Sequence, residues 1–321
     1  MADVYGRLTG KAGVCLSTLG PGATNLITGM ADANSDGAPL VAITGQLGTD
    51  KMHLTSHQYL DLEALFKPIT KRTKMIMRPE SVNEIVRLAF EYAESEKPGA
   101  THINLPEDIA KEEVPEGVAR KFITTAPKNK EYADIESIEH AAAAIFQAEH
   151  PVILAGHSAV RAKASKALTE FAPIKWNLKD DHKIIHIDSR PSHVNKLYQP
   201  VTEVIGDISD SLEKIGNRCH RTKEPEQALA IKRQMSKEHE QYENDMAYPV
   251  KPQKILCDIR SVMGKEDILV SDVGAHKMWI SRHYNCYEPN TCLISNGFAT
   301  MGIAVPGSIA AKMLYSERKV L

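Results

Sequence analysis

The chain has 321 residues, 42% hydrophobic and 25% charged, with a net charge of −2 and a pI of about 6.7. That is the composition of a soluble globular protein of two or three domains. The near-balanced charge and 6% aromatic content argue against a nucleic-acid or membrane surface. No apolar run reaches the length of a membrane span and no secretory signal opens the chain. Five cysteines without CxxC spacing are expected as reduced thiols in a cytoplasm, not as a disulfide frame or a zinc site.

In chain order, Met1–Arg7 reads as helix interior with no cap before it. Val14–Thr18 is a strand, Gly20-Pro21-Gly22-Ala23-Thr24-Asn25 a tight turn, and Ala23–Ala33 the helix after it. Leu40–Thr44 is the next strand, closed by Gly45-Gln46. This alternation predicts a parallel sheet with ligand sites at the strand C-termini. The Gly20–Asn25 turn is neither GxGxxG nor a Walker loop. Gln46 taken alone is a strand-end residue making a loop hydrogen bond. His53 and His57-Gln58-Tyr59 stand in a polar loop. A neutral histidine there serves as acid or base near pH 7, or simply as a solvated side chain.

Ser81–Ala93 carries Val82, Ile85, Val86, Ala89, Phe90 and Ala93 at helical spacing. Gly99–Pro106 is another strand and turn. Lys111–Asp134, charged and holding Pro115 and Pro127, reads as a linker. A second α/β unit follows, with a helix at Ile135–Ala148, a buried strand at Pro151–Gly156, a helix at Val160–Phe171, and strands at Ile184–Asp188 and Glu203–Asp207. The 81 residues from Ile135 to Ile215 are short for a doubly wound domain. Asn217–Tyr248 is strongly charged, with a surface helix at Gln227–Asn244, and Pro252–Met263 is a helix leading on.

Ile268–Ser271 reads as a buried strand before Asp272-Val273-Gly274-Ala275-His276-Lys277-Met278-Trp279, where Gly274 opens a helix. Ser295-Asn296-Gly297 is a second glycine turn, followed by a helix over Ala299–Leu314, and Lys319–Leu321 reads as the start of a buried strand. Both ends of the chain therefore read as cut through secondary structure. Helix N-termini present free N–H groups and partial positive charge, so each turn can hold an anion or a polar heterocycle.

Two separate blocks of this sequence resemble the thiamine-diphosphate enzymes, and within them the acetolactate synthases. The first block is Gly20–Asn25 with Ala31-Asp32-Ala33-Asn34, Pro39–Gln46 and Pro68–Lys71; the second is Asp272–Trp279 with Asn296–Gly307. The resemblance implies an α/β chain of doubly wound parallel-sheet domains. These are a partial pyrimidine-binding domain (1–117), a shortened central domain (134–217) and a partial diphosphate-binding domain (250–321). It implies cofactor contacts at Gly20, Pro21, Gly22 and Asn25, and at Val273, Gly274, Ala275 and His276 beside the diphosphate. Asn296, Gly297, Ala299 and Met301 would lie around the aminopyrimidine, with Met301 wedging the cofactor into its bent shape. Gln46, His57 and Gln58 would lie near the reacting carbon and bound pyruvate. The His57-Gln58 pair resembles the catabolic branch, which works without FAD.

The activity implied is condensation of two pyruvates to 2-acetolactate and CO2 through a hydroxyethyl–cofactor carbanion, in a site shared between two subunits of a homodimer or homotetramer. Magnesium would bridge the diphosphate. The family's catalytic glutamate and its Gly-Asp-Gly metal motif are expected just outside the chain, so no metal ligand is assigned within it. The alternatives are a related enzyme for another 2-oxo acid, or an inactive chain that pairs with a complete subunit.

Overall fold

The computed structural model describes residues 1–52, 56–114, 132–148, 152–164, 183–192, 200–219 and 226–321. His53, most of the expected linker, Pro151 and the C-terminal part of the helix expected over Val160–Phe171 lie outside them. The chain divides into two compact units, Met1–Ala126 with Asp258–Leu321, and Pro127–Cys257.

The first unit begins with α1 (Ala2–Thr9), ended by Gly10 in the left-handed conformation at φ 69°. There follow β1 (Gly13–Ser17), α2 (Pro21–Thr24), α3 (Ile27–Ser35), β2 (Leu40–Gln46), α4 (Leu62–Phe66), β3 (Arg72–Met75), α5 (Val82–Glu94) and β4 (Ala100–Pro106). The four strands pair in parallel in the order β1-β2-β4-β3. The central pair, β2 and β4, is buried along nearly its whole length, as a parallel strand covered on both faces must be. On one face, Val41, Ile76 and Ile103 meet the apolar stripe of α5. On the other, Leu40, Ala42 and Ala100 meet Met30, Ala33, Leu62 and Phe66. The expected α/β class with parallel sheets is the one observed.

The rest of this unit comes from the C-terminal part. After α10 (Pro252–Val262) come β7 (Leu269–Ser271), α11 (His276–His283), β8 (Cys292–Ile294) and α12 (Ala304–Leu314). β7 and β8 pair in parallel. Lys319–Leu321 runs parallel to β7: Ile268 N–H donates to Lys319 O at 2.9 Å and Val270 N–H to Leu321 O at 2.8 Å. Val4 of α1 packs into this layer with Ile268, Val270, Leu293, Ala310 and Ala311.

In the second unit, α6 (Ile135–Gln147), capped by Asp134, packs on the parallel pair β5 (Ile184–Asp188) and β6 (Pro200–Ile205). α7 (His157–Arg161), α8 (Ile208–Gly216) and α9 (Glu226–Glu243) complete it.

Several expectations are corrected. The helix expected over Ala23–Ala33 is two helices, with Asn25 and Leu26 at the break. The helix expected from Ala299 starts at Ala304, because Ala299 at φ 55° and Gly302 at φ 89° are left-handed and cannot continue it. Met301 therefore stands in a turn, not on a helix. The helix expected from Gly274 starts at His276. The strand expected at Pro151–Gly156 is absent: residues 152–156 are irregular and Leu154 is 84% exposed. Among the described residues of that unit, no strand besides β5 and β6 is available to pair with it.

Candidate functional site

The predicted site residues gather at the C-terminal ends of strands, in two clusters. In the first, β1 ends into Gly20, whose backbone at φ 56° and ψ −119° is one that glycine adopts readily. A Cβ on Gly20 would come within 2.8 Å of the Gln58 Cβ, so the turn and the His57-Gln58 loop are brought together. Gln58 also has positive φ, and both His57 and Gln58 are exposed. Pro21 opens α2, Gly22 lies against Thr18, and Asn25 is exposed at the end of α2. Gln46 is buried, and its amide is already committed. Its Nε2 donates to Leu60 O at 2.9 Å, and its Oε1 accepts from the Leu47 N–H at 3.0 Å. It pins the loop that carries His57 and Gln58.

The second cluster is organised by Asp272, at the end of β7. Its Oδ1 accepts from the N–H groups of Val273 at 2.7 Å and Gly302 at 2.8 Å. These backbone hydrogen bonds hold its pKa below the ordinary carboxylate value. One carboxylate thus clamps the Val273–His276 loop to the Ala299–Gly302 turn. The His276 ring contacts Asp272 O at 2.8 Å, and Lys277 Nζ donates to Ser295 O at 2.9 Å. Gly274 and Ala275 are exposed where α11 begins, and a helix start offers unpaired N–H groups to an anion.

Thr300 Oγ1 is buried without a hydrogen-bond partner, and such a group calls for a ligand or water. The Met301 side chain beside it is 79% exposed. A Cβ on Gly302 would meet nothing within 4 Å. These features fit a polar heterocycle lying against the turn. Among the described residues, no three His, Cys, Asp or Glu side chains are grouped to hold a metal. No helix there is long and apolar enough to cross a membrane.

An ionic network links this second cluster to α3. Arg7 donates to Asp3 at 2.5 Å, to Asp32 at 2.9 Å and to Asp36 at 2.8 Å. Ser295 Oγ donates to Asp32 Oδ1 at 2.5 Å, and the Asn296 and Gly297 N–H groups donate to Asp36 at 3.2 and 2.5 Å. Burial disfavours the Arg7 charge, but the hydrogen bond and charge of Asp3, then the charge of Asp36, hold its pKa above the ordinary value. A Cβ on Gly297 would collide with Asp36 Oδ1, so the glycine is required for this contact. Asp36 caps the C-terminus of α3. Asn25 lies before its N-terminus, roughly 15 Å away at the rise of a helix. Sequence reasoning missed this network, whose partners are up to 263 residues apart.

Residues 1–65 match the model described as "Thiamine pyrophosphate enzyme, N-terminal TPP binding domain", and residues 272–321 match "Thiamine pyrophosphate enzyme, C-terminal TPP binding domain". An acetolactate synthase of Bacillus subtilis (strain 168) is 31% identical over 387 residues, covering 100% of this chain and 67% of the relative. The chain belongs to the acetolactate synthase family of thiamine pyrophosphate enzymes. The family's catabolic acetolactate synthase of Raoultella terrigena is 30% identical, with 100% of this chain and 68% of the relative covered. A probable large subunit from Methanocaldococcus jannaschii is 30% identical, with 97% and 64% covered. The chain thus spans about two thirds of the length of these curated relatives.

Proposed function

We propose that this chain contributes both cofactor-holding halves of an acetolactate synthase that condenses two pyruvates, and that each working site joins the first half of one chain to the second half of another. The placement of Asn296 and Gly297 carries this reading. They dock on Asp36, at the end of α3 remote from Asn25, so the two clusters of one chain are held apart by the length of that helix. A homodimer, or a homotetramer of such dimers, brings Asn25 of one chain toward Met301 of the next. A two-fold contact of this kind builds two sites at once.

When bound, thiamine diphosphate supplies an electron sink for decarboxylation of a 2-oxo acid. The residues of the chain bind and orient it. The start of α11 at Gly274, Ala275 and His276 takes the diphosphate, with Val273 fixed by Asp272. Asn296 and Gly297 set the course of the turn, the backbone of Ala299 and Met301 would bond the aminopyrimidine edge, and the Met301 side chain would pack against the cofactor. Gly20, Pro21, Gly22 and Asn25 of the other chain close the pyrimidine end. Gln46 acts by fixing the loop from which His57 and Gln58 approach the 2-oxo acid. Magnesium belongs with the diphosphate in this family, but the described residues supply no ligand set for it, and no step is assigned to it. The alternative reading is a chain that pairs with a complete subunit.

Calorimetry with thiamine diphosphate and magnesium chloride, beside an assay of acetolactate from pyruvate, tests the first reading. Asn25→Ala and Met301→Ala should each weaken cofactor binding; both side chains are exposed, so the fold should persist. Co-expressing the two variants should restore roughly a quarter of the sites if each site spans two chains, because half the dimers are then mixed and each holds one intact site. No recovery overturns the shared site. Absence of cofactor binding by the unaltered chain overturns the enzymatic reading and favours the pairing one.

A further inference from the structure

The two helix starts at the second cluster carry no cap of their own. α11 begins after Ala275 and α12 after Ile303, and neither side chain can accept a hydrogen bond. An N-terminus without a cap leaves its first N–H groups in need of partners. Both starts rest instead on one residue. β7 ends at Ser271 and so delivers Asp272 between them. Its Oδ1 accepts from the Val273 N–H at 2.7 Å, on the path into α11, and from the Gly302 N–H at 2.8 Å. Its Oδ2 accepts from the Ala304 N–H, the first of α12, at 3.4 Å. Its backbone carbonyl accepts from His276 Nε2 at 2.8 Å. That bond folds the imidazole over Gly274, where a Cβ would come within 2.9 Å of the ring. From 30 residues away in sequence, Asp272 therefore supplies the cap and the negative charge that the start of α12 lacks. The same oxygen holds the loop into α11. Lys277 also crosses between the two segments, but it reaches the Ser295 carbonyl, ahead of the Ala299–Gly302 turn.

We propose that Asp272 is a positioning residue: it sets the spacing between the helix start that takes the diphosphate and the turn that takes the aminopyrimidine, so that one cofactor molecule can span both. This rests on the acetolactate synthase reading given above. A carboxylate repels a nearby anion, so Asp272 is ill suited to bind a diphosphate directly. Its hydrogen bonds go to backbone on both sides, which is what a spacer needs. A ligand that spans two elements gains affinity when their separation is preset, because the second contact is then made at high effective concentration. A ligand that touches one element gains nothing from the spacing. Removing the carboxylate therefore penalises the whole cofactor and spares its diphosphate part.

The full chain, Asp272→Ala and Asp272→Asn, each checked for folding by circular dichroism, are compared in three ways. Titration calorimetry measures thiamine diphosphate in magnesium chloride, competition measures inorganic pyrophosphate, and hydrogen exchange is followed without ligand. Asparagine keeps an oxygen that can accept from Val273 and Gly302, so it is the conservative variant. Asp272→Ala should weaken thiamine diphosphate by about tenfold or more while changing pyrophosphate by less than about threefold. Asp272→Asn should stay within about threefold of the unaltered chain for both. Without ligand, exchange should quicken together around Val273–Lys277 and around Gly302–Val305 in Asp272→Ala, and not in Asp272→Asn. The proposal is overturned if Asp272→Ala binds the cofactor as tightly as the unaltered chain, if pyrophosphate weakens as much as the cofactor, if asparagine behaves as alanine, or if exchange quickens in one segment alone. Failure of the two readings is distinguishable. An unaltered chain that binds no cofactor removes both, whereas equal binding by the unaltered chain and Asp272→Ala removes this one and leaves the enzymatic reading standing.

Discussion

Replacing Arg7 by methionine keeps an unbranched apolar stem and removes the guanidinium and its charge. One guanidinium serves three carboxylates, and the Asp3, Asp32 and Asp36 side chains are 9%, 1% and 12% exposed. After the change, Asp32 keeps the Ser295 hydroxyl and Asp36 keeps two backbone N–H groups, while Asp3 loses the guanidinium that held it. Removing one partner of a buried pair costs about 3–5 kcal/mol. Protonating an ordinary carboxyl at pH 7 costs about 4 kcal/mol, which caps the loss at a similar size. That is a large share of a typical stability of about 5–15 kcal/mol. The sign with pH is set by Asp3, whose pKa burial already raises while the Arg7 hydrogen bond and charge oppose it. Without Arg7 that opposition is gone, so the native state binds protons more tightly than the unfolded chain. The variant should therefore regain stability as pH falls, by up to about 1.4 kcal/mol per unit for each proton taken up. Urea unfolding followed by far-ultraviolet circular dichroism at pH 7 and pH 5, for the unaltered chain and Arg7→Met, measures both quantities. A deficit below about 1 kcal/mol at pH 7, or one unchanged at pH 5, refutes the network as the tie between α1, α3 and the Ser295 turn.

His102 is buried in β4, stacked on Phe66 with ring centres 4.2 Å apart, and burial lowers its pKa to about 4. A histidine depressed below its unfolded value contributes stability above about pH 6.5 that is lost as pH falls toward 4, here up to about 3 kcal/mol. His102→Gln should flatten that part of the stability profile, and a ring titrating near 6.5 by NMR would contradict it. Gln46→Leu should cost about 1–3 kcal/mol by leaving the Leu60 carbonyl and Leu47 N–H unpaired, and should speed proteolysis in the loop carrying His57; unchanged stability and cleavage would show that Gln46 does not hold it.

The parts of the fold that could be read from the sequence are those whose pattern is local. The stripe from Val82 to Ala93 predicted α5 to within one residue at each end, because every residue facing Val41 and Ile103 recurs at helical spacing. β3 gave no such signal: Arg72-Thr73-Lys74-Met75 sits at a sheet edge, where charged residues are tolerated and even useful. At the other turn, Ala299 misled the reading. Alanine favours helix, yet here it takes positive φ, in a turn that the Asp272 carboxylate holds through the Gly302 N–H. The Gly297 N–H donates to Asp36 Oδ1, and a Cβ on Gly297 would collide with that oxygen. In both cases the deciding group comes from a distant part of the chain, where residue spacing carries no information.

Such distant ties also decide where α1 belongs. By sequence it goes with the first block, but Val4 is buried in the β7–β8 layer and Arg7 holds the far end of α3 beside the Ser295 turn. α3 therefore has a different task at each end. Its start carries the turn at Gly20–Asn25, and its last residues fix the path of Asn296 and Gly297. A helix is stiff on this length scale, so the second cluster cannot swing toward the first without breaking the Arg7 network. This separation within one chain is what the proposed two-chain site rests on. Phe298, Met301 and Met278 around the second cluster are exposed, as apolar side chains at a surface that the proposed site would cover are expected to be.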